Sequence, residues 1–211
     1  MRFHERQSDV AGIDACWAIT PGPALDSLVA ADGSVDVVVW LGEGGPALHV
    51  ERATVEAFHV PLSARDEVLG VRLRPGHGEP LRALETDLAV EVARAWRRGQ
   101  LTSRLLEQLV AERLRSPPAV INDFVHLATT SSGRFVLSGR SERALQRAAK
   151  HWLGTRPKTF LRITRAQAAS RALSTGEAIV DVAHRLGFSD QAHLTRELRT
   201  LLGRTPATLH R

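Results

Sequence analysis

The tightest constraint on this chain lies in residues 177–211, EAIVDVAHRLGFSDQAHLTRELRTLLGRTPATLHR. Ile179, Val182, Ala183 and Leu186 fall at helical spacing and form one apolar stripe. Gly187 follows the last of them, where a left-handed C-cap favours a residue without Cβ. Ser189 is placed to cap a second helix, and Asp190 complements that helix's positive end. Leu194, Leu198 and Leu201 make the second stripe, which Gly203 and Pro206 bring to an end. Two short amphipathic helices joined by a tight glycine turn are predicted, the helix-turn-helix pattern. The outward face of the second helix, Asp190–Leu202, carries Gln191, His193, Thr195, Arg196 and Arg199. Side chains of these types reach base edges and phosphates when such a helix enters a major groove.

Any helical hairpin shows two stripes, so the charge distribution matters. Residues 1–115 hold 13 Lys+Arg against 17 Asp+Glu, a net −4, whereas residues 116–211 hold 15 against 6, a net +9. An acidic half joined to a basic half points to a polyanionic partner for the second half alone. A solvated, arginine-rich surface is the plainer alternative. Cys16 is the single cysteine, which excludes an internal disulfide and a zinc site built on several thiolates. No apolar run approaches a membrane span, and the start MRFHERQSDV lacks a signal-peptide core. A cytoplasmic chain that meets no membrane is therefore expected.

Residues 1–80 read as β-rich. The apolar run VDVVVWL lies between the turn residues AADGS and GEGGP, and ALHVERATVEAFHVPL and EVLGVRLRPG alternate imperfectly. Strands at such spacing suggest a small barrel or sandwich. GEGGP lacks the spacing and lysine of a phosphate loop, so it reads as a hairpin turn. His49, Glu51, His59, His77 and Glu79 are metal-ligand types, but they form isolated pairs, so no metal is expected. No cofactor motif is present. Cys16 reads as a small buried thiol.

Residues 81–116 read as two helices, one striped by Leu81, Leu84, Leu88, Val92, Ala95 and Trp96, the other by Leu101, Leu105, Leu109, Val110 and Leu114. They either cover the sheet or associate with a second copy. Ser116-Pro117-Pro118 marks the domain boundary, since paired prolines interrupt helix and the charge balance turns there. Few contacts are expected across it. In residues 117–211 a further helix, SERALQRAAKHWLG, starts at Ser141 and carries Leu145, Ala148 and Trp152 on one face. Its other face carries Arg143, Gln146, Arg147 and Lys150. Pro157 suits the first turn of a long helix bearing Lys158, Phe160, Arg162, Ile163 and Ala172, which Gly176 ends.

The string IVDVAHRLGFSDQAHLTRELRTLLGRTPATLHR, through Ile179, Ala183, Gly187, Phe188, Leu194, Arg196, Gly203 and Pro206, resembles the second helix-turn-helix of the AraC/XylS transcription regulators. SERALQRAAKHWLG resembles the recognition helix of the first unit, with Arg143, Gln146 and Arg147 at its contact positions, and residues 156–174 resemble the helix between the units. The strands and the phrase GVRLRPGHGEPL resemble the cupin-like sensor domain of a poorly characterised subgroup. One departure stands out: TTSSGRFVLSGR replaces a complete positioning helix, so the first unit looks truncated.

The resemblance implies an α+β protein: a small β-rich cupin-like domain, a helical linker, and an all-α domain with two helix-turn-helix units. Its implied partners are double-stranded DNA, RNA polymerase, a small-molecule effector and a second copy of the chain. Gln191 and Arg196 are the expected base readers, with His193 and Thr195 secondary. Lys150, Lys158, Arg162 and Arg199 are expected on phosphates. Two other readings stay open. One is a ligand- or metal-binding β-domain whose helices serve association. The other is an antagonist that has lost DNA contact and binds another regulator.

Overall fold

The computed structural model describes residues 2–133 and 142–209. Seven strands come first: β1 (Arg2–Gln7), β2 (Ile13–Thr20), β3 (Leu25–Val29), β4 (Val35–Gly42), β5 (Gly45–Val50), β6 (Phe58–Leu62) and β7 (Glu67–Leu73). Five of them form an antiparallel sheet in the order β1-β2-β7-β4-β5, and β3 pairs β6 in a second, two-stranded sheet. Gly42 pairs with Gly45 across the β4–β5 hairpin, so GEGGP is a turn as expected. ALHVERATVEAFHVPL contains two strands, but they belong to different sheets.

Alternation decides what each sheet face meets. Cys16, Val35, Val37, Val39, Leu69, Val71 and Leu73 point to one side and build a core with α1 (Glu85–Arg97) and α2 (Ser103–Ala111). Leu88, Val92, Leu106 and Val110 supply the helical half of that core. The two helices therefore cover the sheet. α2 is tied to the sheet edge by Glu107, which is buried and accepts from Arg6 Nη2 at 2.7 Å and from the Ser8 hydroxyl. Cys16 is buried in this core, and burial pushes its thiol up to about 11.

The opposite sheet face carries Trp17, Ile19, Asp36, Val38, Trp40, Val68, Gly70 and Arg72. It looks across a cavity of about 760 Å³ at Val29, Phe58, Val60 and Leu62 of the two-stranded sheet. A second cavity of about 690 Å³ shares Trp17, Ile19 and Asp36, and reaches the helical half at Arg171 and Arg204. Gly70 makes room for Trp17, since a Cβ there would lie 2.0 Å from the indole. The β-half is thus two facing sheets with an open interior.

The helical half contains α3 (Ala119–Thr130), α4 (Glu142–Trp152), α5 (Pro157–Ser174), α6 (Ile179–Leu186), α7 (Gln191–Leu202) and α8 (Pro206–Leu209). α5 is its spine. Phe160, near its start, joins Ile121, Phe124 and Ala128 of α3 and Leu145 and Ala149 of α4. Ile163 through Leu173 join Val182, Ala183 and Leu186 of α6 and Leu194, Leu198 and Leu201 of α7. On α4 the fully buried positions are Leu145 and Ala149, followed by Leu153; Ala148 and Trp152 are half-buried beside them. The apolar face is therefore centred one residue later than the spacing suggests. Ser141 and the stretch 134–140, on which the expected truncation rests, lie outside the described residues.

The two halves are joined by more than a linker, contrary to the expectation of few contacts. Ala31, from the loop after β3, is fully buried in the α5–α6–α7 core. Its N–H donates to Leu201 O at 2.7 Å, and Ala57 N–H donates to Thr200 O at 3.0 Å. Gln167 Nε2 donates back to Ala31 O at 3.3 Å. Gly33 and Gly203 have positive φ and touch Phe160 and Leu28, so each turn lets one half close onto the other. The carbonyls in the last turn of α7 therefore find N–H donors outside their own helix.

Candidate nucleic-acid interface

α6 ends where the sequence places its end. Gly187 has φ 73 and ψ 35, the left-handed conformation, and Phe188 N–H bonds back to Ala183 O at 2.9 Å. The N-cap of α7 is Asp190 rather than Ser189, a correction to the expected assignment. Asp190 has extended backbone, and its Oδ1 accepts from His193 N–H at 2.6 Å. That bond holds the Asp190 carboxyl below its ordinary value. Ser189 sits one residue earlier, where its hydroxyl approaches Asp190 Oδ2 at 3.3 Å and His193 Nδ1 at 3.1 Å. Asp190 takes the cap because its extended backbone sets its carboxylate against the His193 N–H, at the positive end of the helix.

Leu194, Leu198, Leu201 and Leu202 turn inward and fix which side of α7 faces out. Gln191, Arg196 and Arg199 are exposed, and His193 and Thr195 are partly exposed. The Thr195 hydroxyl donates to Gln191 O at 2.8 Å, within the helix. On α4, Arg143, Gln146, Arg147 and Lys150 are all exposed, opposite Leu145 and Ala149. Gln146 Nε2 donates to Glu142 Oε1 at 3.1 Å. On α5, Lys158 is exposed. Arg162 differs from a free cation: it forms a two-pronged pair with Glu197 of α7, at 3.0 and 2.9 Å. The pair raises the arginine's pKa and holds the Glu197 carboxyl below its usual range.

Arg165 was not among the expected residues. Its guanidinium lies 4.9 Å from the centroid of the Phe188 ring, and Phe188 meets His193 edge-on at 5.5 Å. The three side chains form a stack that ties α5 to the turn and to the first turn of α7. Burial pushes the Arg165 pKa down. Residues 23 positions apart carry no local periodic signal, so only the fold brings Arg165 onto Phe188.

A second charged group, also unseen in the sequence, lies in the β-half. Arg72 Nε stands 3.3 Å from both Asp32 Oδ2 and Asp36 Oδ1, and Arg72 Nη1 stands 3.5 Å from Glu5 Oε2. Burial pushes Asp36 up to about 6. The suggested metal ligands do not gather. His49 faces Glu85 at 3.8 Å, His59 pairs Asp26 at 2.7 Å, and among the described residues no group of three or more such side chains could hold a metal. Among the described residues no helix is long and apolar enough to cross a membrane.

Residues 137–211 match the family model of a helix-turn-helix domain. The chain thus carries a helix-turn-helix domain over those residues. No curated protein matches the chain. Among solved structures it is similar to ToxT from Vibrio cholerae, with 8% identity and a TM-score of 0.43 over 98% of this chain and 97% of that one. It is also similar to ToxT from Vibrio cholerae O395 bound to (E)-4-(8-methylnaphthalen-1-yl)but-3-enoic acid, with 10% identity, a TM-score of 0.42, and 98% and 97% coverage. A third similar structure is unsaturated fatty acid-bound wild-type ToxT, with 11% identity, a TM-score of 0.39, and 98% and 94% coverage.

Proposed function

We propose that the chain is a sequence-specific DNA-binding transcription regulator, and not an enzyme, that reads double-stranded DNA with α7 in a major groove. One observation carries this reading. The α6–Gly187–α7 unit is fully formed, and its outward face presents Gln191, Arg196 and Arg199 in exposed positions. An Arg fork matches guanine O6 and N7, and a Gln amide matches adenine. Gln191 and Arg196 are assigned to base edges, His193 and Thr195 to neighbouring contacts, and Arg199, Lys150 and Lys158 to phosphates. Arg162 is assigned to holding Glu197, with phosphate contact secondary.

α4 supports a second contact. It lies toward one end of α5, and α6 and α7 pack on the rest of it. At 1.5 Å per residue α5 is about 27 Å long, of the order of the 34 Å between successive major grooves on one side of DNA. Arg143, Gln146, Arg147 and Lys150 would face that second groove.

Effector control is part of the same proposal. The cavity between the two sheets lies next to the loops that bond to α7, so an occupant there would bear on the last turn of the reading helix. Association with a second copy and with RNA polymerase completes the picture expected of a regulator. A cytoplasmic, nucleoid-associated location goes with it. Selection of bound fragments from random DNA by the full chain tests the reading. A recurrent site is the expected result. Retention without any recurrent site would reduce the protein to a non-specific polycation binder.

A further inference from the structure

We infer that His193 is held so that Nδ1 accepts and Nε2–H is presented as a donor to an acceptor on the DNA. This rests on the DNA-binding reading above and adds the chemical sense of one contact. The Ser189 N–H donates to His193 Nδ1 at 3.3 Å, and the Ser189 hydroxyl lies 3.1 Å from the same atom. A hydroxyl can turn its proton elsewhere, but a backbone N–H cannot. Nδ1 must therefore carry a lone pair, which leaves the proton on Nε2.

The ring cannot rotate out of this arrangement freely. Phe188 is buried and meets the imidazole at 79°, and Arg165 covers the Phe188 ring. The Asp190 cap fixes the His193 backbone, so ring and helix are set by one turn. Among the described residues no hydrogen bond engages Nε2. Arg196 lies three residues on and so neighbours His193 on the helix surface. His193 thus faces an acceptor: a purine N7, a guanine O6, a thymine O4 or a phosphate oxygen. It does not serve as a reader of the amino groups of adenine or cytosine.

Two substitutions separate the ring's halves. Asn keeps an acceptor where Nδ1 lies and so keeps the Ser189 contact, but has nothing at Nε2. Gln places an amide N–H where Nε2 lies. Fluorescence anisotropy of the full chain on its selected site should show His193→Asn weakened about tenfold, the worth of one hydrogen bond, and His193→Gln within about threefold of wild type. Circular dichroism melting confirms that both variants fold. An equal loss for His193→Asn on selected and scrambled DNA identifies a phosphate acceptor; a loss confined to the selected site identifies a base edge. In the free protein at neutral pH, nitrogen-15 shifts should show a protonated Nε2 and an unprotonated Nδ1. An Nδ1–H tautomer, or wild-type affinity for His193→Asn, overturns the inference while the DNA-binding reading stands. Failure of the wild-type chain to bind any DNA overturns both.

Discussion

Arg196 and Arg147 hold matching places on two helices and should behave differently when truncated. Arg196 is exposed on a helix whose cap, turn and apolar face are all formed. Arg196→Ala should cost about 1–3 kcal/mol on the selected site and relax preference at one base position. Arg147 is exposed on α4, whose preceding stretch looks truncated in the sequence. Its loss should be smaller and equal on selected and scrambled DNA. Binding isotherms of both variants on both DNAs check this; an Arg147→Ala effect as large as that of Arg196→Ala, with base preference lost, would make α4 a full reader. Asp36 makes a different kind of prediction. Its folded pKa, about 6, lies above the ordinary 3.8, so the folded chain holds an extra proton between those values. Its contribution to stability therefore falls as pH rises through roughly 4 to 6. Denaturant unfolding across that window should show stability changing with pH by a more positive slope in Asp36→Asn than in wild type. Identical slopes would mean that Asp36 titrates normally.

At the scale of elements, the reading helix is set by its two ends. Asp190→Ala removes the acceptor of His193 N–H and should lower the melting temperature clearly below that of wild type. Ser189→Ala removes only a hydroxyl that Asp190 does not need and should lie within about 0.5 kcal/mol of wild type. Thermal melts of the two variants distinguish the cap; the reverse order would restore Ser189 to it. These elements also show what a sequence can carry. The stripes of α6 and α7, the glycine turn and the β4–β5 hairpin were legible because each depends on neighbours within a few residues. The cap was misplaced by one position because two adjacent residues, Ser189 and Asp190, both suit it, and only backbone geometry chooses. The shift on α4 from Ala148 to Ala149 has a similar origin, since both alanines fit an amphipathic pattern. The stack of Arg165 on Phe188, the Arg162–Glu197 pair and the Asp32–Arg72–Asp36 group were not legible, because each joins residues that only tertiary folding brings together.

Across the whole molecule, the β-half and the helical half share a seam. Ala31 is buried in the helical core, and two backbone N–H groups bond to the end of α7. A fragment of residues 117–211 should fold, because two apolar clusters lie almost wholly within it. It should melt below the corresponding transition of the full chain, since Thr200 and Leu201 lose their partners at the seam. A fragment that melts at the same temperature would show that the seam adds no stability. The central claim is that the basic half reads DNA by sequence. Its most direct measurement is the affinity of the full chain for its selected site and for a scrambled duplex over a range of salt. With about six phosphates neutralised, log affinity should fall with log salt at a slope near −5 on both, while the selected site binds at least about a thousandfold tighter. Equal affinities for the two duplexes, or a slope near zero, would contradict the account.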